Sequence, residues 1–242
     1  MHLFVDIGNT SLKWAVRASD TLGEMRVVRH HGGLPIDLHA AWDGLAAPKQ
    51  ILVSNVGGQE IEAALAAACV SRWRQPPRFV QTAPSSHGIT VAYARPDRLG
   101  VDRWLAMVAA RHLCPGPVLV VDAGTAVTYD LLLADGRQLG GLILPGIEMM
   151  RESLLAGTHI PGGGPEDAVA PWATDTAGAV AAGSVQALAA LAERLSDRLM
   201  AEAHALPELI LTGGDADQLL TAIGRPARHE PNLILQGLAL LA

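Results

Sequence analysis

Two short acidic turns, each following an apolar strand, constrain the fold of this chain more than any other feature. Leu3-Phe4-Val5 runs into Asp6-Ile7-Gly8-Asn9-Thr10, and residues 118–121 run into Asp122-Ala123-Gly124-Thr125-Ala126, roughly half of the 242-residue chain further on. β-Branched and aromatic residues follow each turn and predict a second strand, and hence a β-hairpin. P-loops and dinucleotide-binding units instead place their glycine turn directly before a helix. The repeat therefore indicates two similar halves that each begin with a hairpin.

Composition narrows the class of protein. The chain has 18 Lys and Arg against 24 Asp and Glu, a formal net charge of −6, and 50% hydrophobic residues. Scattered basic residues argue against a nucleic-acid or membrane surface, which needs clustered positive charge. No apolar run reaches the roughly 18 residues of a membrane span, and no export signal is visible at the N-terminus. We therefore expect a globular cytoplasmic protein with no nucleic-acid or membrane partner, in which Cys69 and Cys114 are buried free thiols.

Strands and helices alternate along the chain, which predicts an α/β architecture. Strand patterns occur near residues 26–30, 50–54, 78–81, 118–121, 125–133, 138–143 and 208–212. Helical patterns occur near residues 37–46, 58–69, 101–112, 146–156, 175–203, 214–222 and 232–241. Pro161-Gly162-Gly163-Gly164-Pro165 predicts a mobile loop. Pro115-Gly116-Pro117 marks the turn into the second half, so the predicted domains are 1–115 and 116–242.

The two acidic turns could bind a polyphosphate and a metal ion. Gly8 permits unusual dihedral angles, and Asn9, Thr10 and Ser11 offer donors that could cradle a phosphate. A turn that only closes a hairpin is the ordinary alternative for such residues. The repeat at Asp122 favours the functional interpretation, because Mg²⁺ needs only one or two carboxylates beside substrate phosphates.

A third candidate site opens the helix predicted near 101–112. Asp102, in its first turn, either interacts with the helix dipole or accepts a proton from a substrate hydroxyl. Arg103 either lies at the surface or binds a substrate carboxylate or phosphate. The hydroxyl of Tyr93, a little upstream, could position a polar ligand.

Histidines and tryptophans indicate no further site. The chain has nine histidines, and they show no metal-ligand spacing. His30 and His31 adjoin a Gly-Gly turn and are predicted to be exposed. The five tryptophans are predicted to pack in the core.

In their order and spacing, these motifs resemble those of the type III pantothenate kinases, which belong to the acetate and sugar kinase/Hsp70/actin superfamily. The resemblance covers nearly the whole chain. It is carried by Asp6-Ile7-Gly8-Asn9-Thr10 with Lys13, Ser54-Asn55-Val56, Tyr93, Gly100-Val101-Asp102-Arg103, Asp122-Ala123-Gly124-Thr125, Gly140-Gly141, Pro145-Gly146, Asp175-Thr176 and Thr212-Gly213-Gly214-Asp215.

The resemblance implies a duplicated ribonuclease-H-like fold of the actin-like ATPase type, with two similar halves around a nucleotide cleft. It also implies a homodimer, with the acceptor pocket at the dimer interface. The implied reaction is ATP-dependent phosphorylation of pantothenate to 4'-phosphopantothenate, the first step of coenzyme A biosynthesis. Two alternatives stay open: a kinase of another small hydroxylated acceptor, and a non-catalytic nucleotide-binding regulatory protein.

Roles for individual residues also follow from the resemblance. Asp102 would accept the proton of the pantothenate hydroxyl, and Asp122 would hold a monovalent cation, K⁺ or NH₄⁺. Phosphoryl transfer also needs Mg²⁺ to neutralise charge, and Asp6 is expected to bind it through water. The residues that would bind ATP are Asp6, Ile7, Gly8, Asn9, Thr10, Ser11, Leu12, Lys13 and Thr125. Those that would bind pantothenate are Tyr93, Gly100, Val101, Asp102, Arg103 and Thr176.

Overall fold

The chain folds into an α/β structure with two five-stranded mixed sheets. A computed structural model describes residues 1–19, 21–160 and 170–242. The loop predicted at 161–165 lies outside the described residues. Within those residues, no helix is both long enough and apolar enough to cross a membrane.

The first sheet has the strand order β3-β2-β1-β4-β5. Its strands are β1 (His2–Ile7), β2 (Ser11–Arg17), β3 (Arg26–Arg29), β4 (Gln50–Asn55) and β5 (Arg78–Phe79). β1 pairs antiparallel with β2 and parallel with β4. Leu3, Phe4 and Val5 are fully buried, as expected of a central strand covered on both faces.

The second sheet repeats the first in order and in strand direction. A two-stranded ribbon of β6 (Ser85–Ser86) and β7 (Ile89–Thr90) precedes it. Its order is β10-β9-β8-β11-β12. The strands are β8 (Val118–Ala123), β9 (Ala126–Leu132), β10 (Gln138–Pro145), β11 (Glu208–Thr212) and β12 (Arg228–His229). β8 pairs antiparallel with β9 and parallel with β11, as β1 does with β2 and β4. The two predicted hairpins are therefore confirmed, each at the centre of its own sheet.

Helices fill the connections between strands. They are α1 (Ile36–Ala41), α2 (Gln59–Trp73), α3 (Val101–Leu113), α4 (Ile147–Ala156), α5 (Thr176–Ala203), α6 (Ala216–Ala222) and α7 (Leu233–Ala239). Helix α5 begins where it does because the Asp175 side chain accepts the Gly178 N–H at 2.8 Å, a standard N-cap bond. One core joins β1, β2 and β4 to α1 and α2, and another joins β8, β9 and β11 to α4, α5 and α6.

The compact units of the structure are discontinuous in sequence. The first unit consists of Met1–Pro84, Tyr93–Ala109 and Asn232–Ala242, and the second of Ser85–Ala92 and Ala110–Pro231. The ribonuclease-H-like halves predicted at 1–115 and 116–242 differ from these units and remain a prediction.

Two sets of contacts explain this division. In the first unit, a Cβ on Gly237 of α7 would overlap the carbonyl oxygen of Leu105, and an Arg17 guanidinium N–H donates to the Ala239 carbonyl at 2.8 Å. In the second unit, the Thr90 N–H donates to the Gly136 carbonyl at 2.9 Å. The C-terminal helix therefore packs with the first sheet, and the β6–β7 ribbon packs with the second.

Candidate active site

The first acidic turn joins β1 to β2 and is closed by a backbone bond. The Gly8 N–H donates to the Ser11 carbonyl at 2.9 Å, which leaves Asn9 and Thr10 at an exposed tip. A Cβ on Gly57, in the loop after β4, would lie 2.7 Å from the Gly8 carbonyl oxygen. Any larger residue at position 57 would therefore push the turn out of place.

Asp6 lies at the end of β1 in a row of polar side chains. It is only 4% exposed, and it stands directly opposite Lys13 of β2 and Ser54 of β4. Residues that pair across neighbouring strands project from the same face of a sheet. The ammonium-bearing side chain of Lys13 therefore shares a face with the buried carboxylate, as a phosphate-binding turn requires.

His30, which was predicted to be exposed, is instead buried against this turn. It is 4% exposed, and its Nε2 lies 3.0 Å from the Gly8 carbonyl oxygen. The Gly32 N–H donates to its Nδ1 at 3.2 Å, and its own backbone N–H donates to the Thr10 carbonyl at 3.0 Å. The neighbouring His31 is exposed, so the prediction holds for that residue alone.

The start of α3 brings together the residues predicted to bind the acceptor. Arg103 is 5% exposed, and its guanidinium donates to the Tyr93 hydroxyl at 3.1 Å. Its central carbon lies 6.0 Å from the centre of the Tyr93 ring, within range of a cation–π contact. Asp102 accepts the Arg103 backbone N–H on Oδ1 at 2.8 Å. A Cβ on Gly100 would lie 2.5 Å from the same oxygen, so alanine at this position would displace the Asp102 carboxylate.

A cavity of about 480 Å³ adjoins this helix start within the first unit. Gly100 and Val101 line one side of it, and Asn55 and Val56, after β4, line another. The Thr82 hydroxyl, also in the lining, donates to the Leu99 carbonyl at 2.9 Å and so holds the chain just before α3. The cavity has the volume that small-molecule sites require.

The lining of this cavity is polar as well as apolar. The Asn55 side-chain amide donates to Glu62 at 2.8 Å, which orients both lining residues. At the rim, the Arg95 guanidinium donates to Asp97 at 2.6 Å. That hydrogen bond holds the pKa of the Asp97 carboxyl below its usual range.

The second acidic turn lies in the second unit, where glycines surround it closely. Asp122 stands opposite Thr128 of β9 and Thr212 of β11, so one carboxylate and two hydroxyls share a face. Gly213 has φ +95°, and a Cβ there would overlap the Ala123 carbonyl oxygen and lie 2.6 Å from Asp122 Oδ1. A Cβ on Gly146, on the other side of the turn, would overlap the Gly124 carbonyl.

The remaining predicted site residues also lie in the second unit. Thr125 is exposed at the tip of its turn, where its carbonyl accepts the Gly146 N–H at 2.9 Å. Thr176 is the exposed first residue of α5. The structure thus brings Tyr93 together with residues 100–103 in one unit, and it places Thr125 and Thr176 in the other.

The donors present fit a magnesium–nucleotide complex better than a metal caged by protein alone. Among the described residues, no group of three or more His, Cys, Asp and Glu side chains is placed to hold a metal ion. Mg²⁺ in phosphoryl-transfer sites is bound by one or two carboxylates plus substrate phosphates. Each unit carries one such carboxylate in its acidic turn, Asp6 in the first unit and Asp122 in the second.

Comparison with known proteins identifies the family. The family model described as type III pantothenate kinase matches residues 2–198. The type III pantothenate kinase of Azoarcus sp. is 40% identical, over 100% of this chain and 90% of that protein. The chain belongs to the type III pantothenate kinase family. The family member from Nitrosococcus oceani is 35% identical, over 100% of this chain and 94% of its own. The resemblance inferred from the motifs is confirmed.

A solved structure supports the fold independently. The glucokinase of Balamuthia mandrillaris, determined in complex with glucose, superposes with a TM-score of 0.54 at 13% identity, covering 100% of this chain and 93% of that one. At this identity the likeness concerns the fold alone. Together with the repeated sheet order, it confirms the duplicated fold of the actin-like ATPase and sugar kinase type.

Proposed function

We propose that the protein transfers the γ-phosphoryl group of ATP to the primary hydroxyl of pantothenate, giving 4'-phosphopantothenate and ADP, the first step of coenzyme A biosynthesis. The match to type III pantothenate kinases over nearly the full chain supports the reaction. The observation that carries the acceptor side is the hydrogen bond between buried Arg103, in the first turn of α3, and half-buried Tyr93, next to the cavity lined by Gly100 and Val101.

Asp102 is the proposed proton acceptor. The acceptor oxygen forms a bond to the γ-phosphorus while the bond from that phosphorus to the β-phosphate oxygen breaks, and the hydroxyl proton passes to the carboxylate. Phosphoryl transfer has a loose transition state, so the proton leaves late and an ordinary carboxylate is basic enough. The bond from the Arg103 N–H to Oδ1 fixes the orientation of the carboxylate.

Arg103 and Tyr93 are proposed to bind the carboxylate of pantothenate. A buried guanidinium prefers a planar anionic partner, with which it forms two parallel hydrogen bonds. The bond to the Tyr93 hydroxyl holds the guanidinium in one orientation before substrate arrives. Thr176 is proposed to contribute a hydroxyl to the same substrate.

ATP is proposed to bind along residues 6–13 with Thr125. The turn amides and the Lys13 ammonium would contact the phosphates, and Asp6 would hold Mg²⁺ through water. The magnesium ion would neutralise the charge of the phosphate oxygens. The burial of Asp6 in the same row as Lys13 supports this assignment, because a nearby cation stabilises a buried carboxylate.

Asp122 is proposed to hold a monovalent cation, K⁺ or NH₄⁺. Its carboxylate shares a face with the hydroxyl-bearing Thr128 and Thr212, and oxygen ligands of this kind suit a hard cation. The cytoplasmic location predicted from the sequence stays a prediction.

A homodimer is also proposed. β10 is the last strand of its sheet, yet it exposes Leu139, Leu142 and Ile143, the last of these by 62%. Exposed apolar side chains grouped on one strand form the kind of patch that marks a protein–protein contact, so a second copy is the proposed cover. Trp172, predicted to be in the core, is instead 77% exposed in the same unit. Light scattering should give twice the 25.3 kDa of one chain; a monomer mass would contradict the dimer.

The proposed reaction is tested by measuring ADP release with different acceptors and cations. Purified protein with Mg²⁺ and ATP receives pantothenate, glucose or no acceptor, each with K⁺, NH₄⁺ or tetramethylammonium. We expect ADP only with pantothenate, and faster release with K⁺ or NH₄⁺ than with the bulky cation. Release with glucose alone would favour a kinase of another acceptor, and binding of ATP without any release would favour a regulatory protein.

A further inference from the structure

His30 is the one histidine that touches the first acidic turn, among the residues that the structure describes. It follows β3 directly, and its side chain contacts the carbonyl of Gly8, in the turn between β1 and β2. It is 4% exposed, so the ring has left water for these contacts. A buried imidazole needs hydrogen-bond partners, because an unsatisfied ring nitrogen destabilises the fold.

The hydrogen bonds fix the proton on the ring. Nδ1 accepts the Gly32 N–H, so it carries no proton itself. Nε2 faces a carbonyl oxygen, which can only accept. These partners match the tautomer that carries its proton on Nε2 and donates it to the Gly8 carbonyl.

This donation sets the direction of one peptide group in the turn. The carbonyl of Gly8 and the N–H of Asn9 belong to the same planar trans peptide and point in opposite directions. Holding the Gly8 oxygen toward His30 therefore directs the Asn9 N–H away from it. A flip of this peptide, which the flexibility of Gly8 would otherwise allow, would exchange the N–H for a carbonyl oxygen and repel a phosphate.

We propose that His30 is a positioning residue for ATP: its imidazole, through the Gly8 carbonyl, keeps the Asn9 amide aimed at the phosphates. The inference rests on the proposed function, because it assumes that this turn binds the nucleotide. His30 touches no reacting atom in this role and has no part in proton transfer.

Three variants separate positioning from folding. Gln at position 30 places its amide NH₂ where Nε2 stands, whereas the shorter Asn mimics only the Nδ1 end of the ring. H30N should therefore lose the bond to Gly8 and H30Q should keep it. H31N is the matched control, since His31 is the exposed neighbour.

The readouts are calorimetric titration of each variant with ATP and Mg²⁺, without acceptor, and KM values for ATP and pantothenate. We expect H30N to bind ATP about tenfold more weakly, equivalent to about 1.4 kcal/mol, with its KM for pantothenate unchanged. H30Q should recover most of the affinity, and H31N should match the wild type. If H30N were only folded to a smaller fraction, kcat would fall while the KM values for ATP and for pantothenate stayed the same.

Two results would overturn the inference: wild-type affinity for ATP in H30N, or an equal loss of affinity for ATP and pantothenate. Failure of the proposed function is distinguishable from either. It would show in the wild-type protein, as ATP binding with no phosphorylated pantothenate, and the comparison of ATP binding between H30N and the wild type would still decide the role of His30.

Discussion

Gly213 is a position at which one added methyl group is expected to destabilise the fold strongly. It follows β11 with φ +95°, a conformation that side-chain-bearing residues rarely adopt. A Cβ would overlap the Ala123 carbonyl oxygen, which is rigid backbone, and would lie 2.6 Å from Asp122 Oδ1. The Gly213→Ala variant can therefore fold only by moving the second acidic turn or the carboxylate it carries.

The loss of stability follows from two independent costs. Holding alanine at a strongly positive φ costs on the order of 1–3 kcal/mol. Forcing an extra carbon into a filled space costs about 1–3 kcal/mol more. We therefore expect the free energy of unfolding to fall by at least about 2 kcal/mol, which lowers Tm by roughly 4–8 °C in a protein of this size.

The next residue provides the control. Gly214 has no atom within 4 Å of an added Cβ and no positive φ. Gly214→Ala should therefore change stability by no more than about 0.5 kcal/mol. Thermal unfolding of both variants under the same conditions makes the comparison. If Gly213→Ala is no less stable than Gly214→Ala, the close packing of the turn against Gly213 is refuted.

Two further predictions concern catalysis and pH. Asp102→Asn removes the proposed proton acceptor but keeps the side chain's size, so turnover should fall about 10²- to 10⁴-fold. Calorimetry should find the ATP affinity of this variant nearly intact. Turnover like that of the wild type would contradict the role of Asp102 as the base. Burial raises the pKa of the Cys69 thiol from 9.0 to about 11, so the folded state keeps its proton where the unfolded state has lost it. The raised pKa therefore contributes to the free energy of unfolding below pH 9, and this contribution is lost as the pH rises toward 11. Stability measured by urea unfolding should therefore fall more steeply over that range in the wild type than in Cys69→Ala, and equal slopes would contradict the raised pKa.

The elements that carry the site could be predicted because their signals are local. The β-branched and aromatic residues after the first acidic turn predict a strand, and β2 spans Ser11–Arg17. The start of α3 at Val101 agrees with the predicted helix near 101–112. The two-residue strands β6, β7 and β12 are not predicted, although the equally short β5 lies within the strand predicted near 78–81.

What could not be predicted depends on contacts between distant residues. His30 and His31 are adjacent and chemically identical, yet only the first is buried, because the Gly8 carbonyl and the Gly32 N–H meet its ring. The apolar face of α7 indicates that the helix packs on something, but not that its partner is the first sheet. Trp172 was expected in the core on residue type alone and is exposed.

The central claim is that the protein esterifies pantothenate with the γ-phosphoryl group of ATP. Mass spectrometry of a reaction containing ATP, Mg²⁺, K⁺ and pantothenate tests it most directly. We predict one phosphorylated pantothenate for each ADP formed, with fragments that place the phosphate on the primary hydroxyl. ADP formation without a pantothenate ester, or no turnover under either K⁺ or NH₄⁺, would contradict the claim.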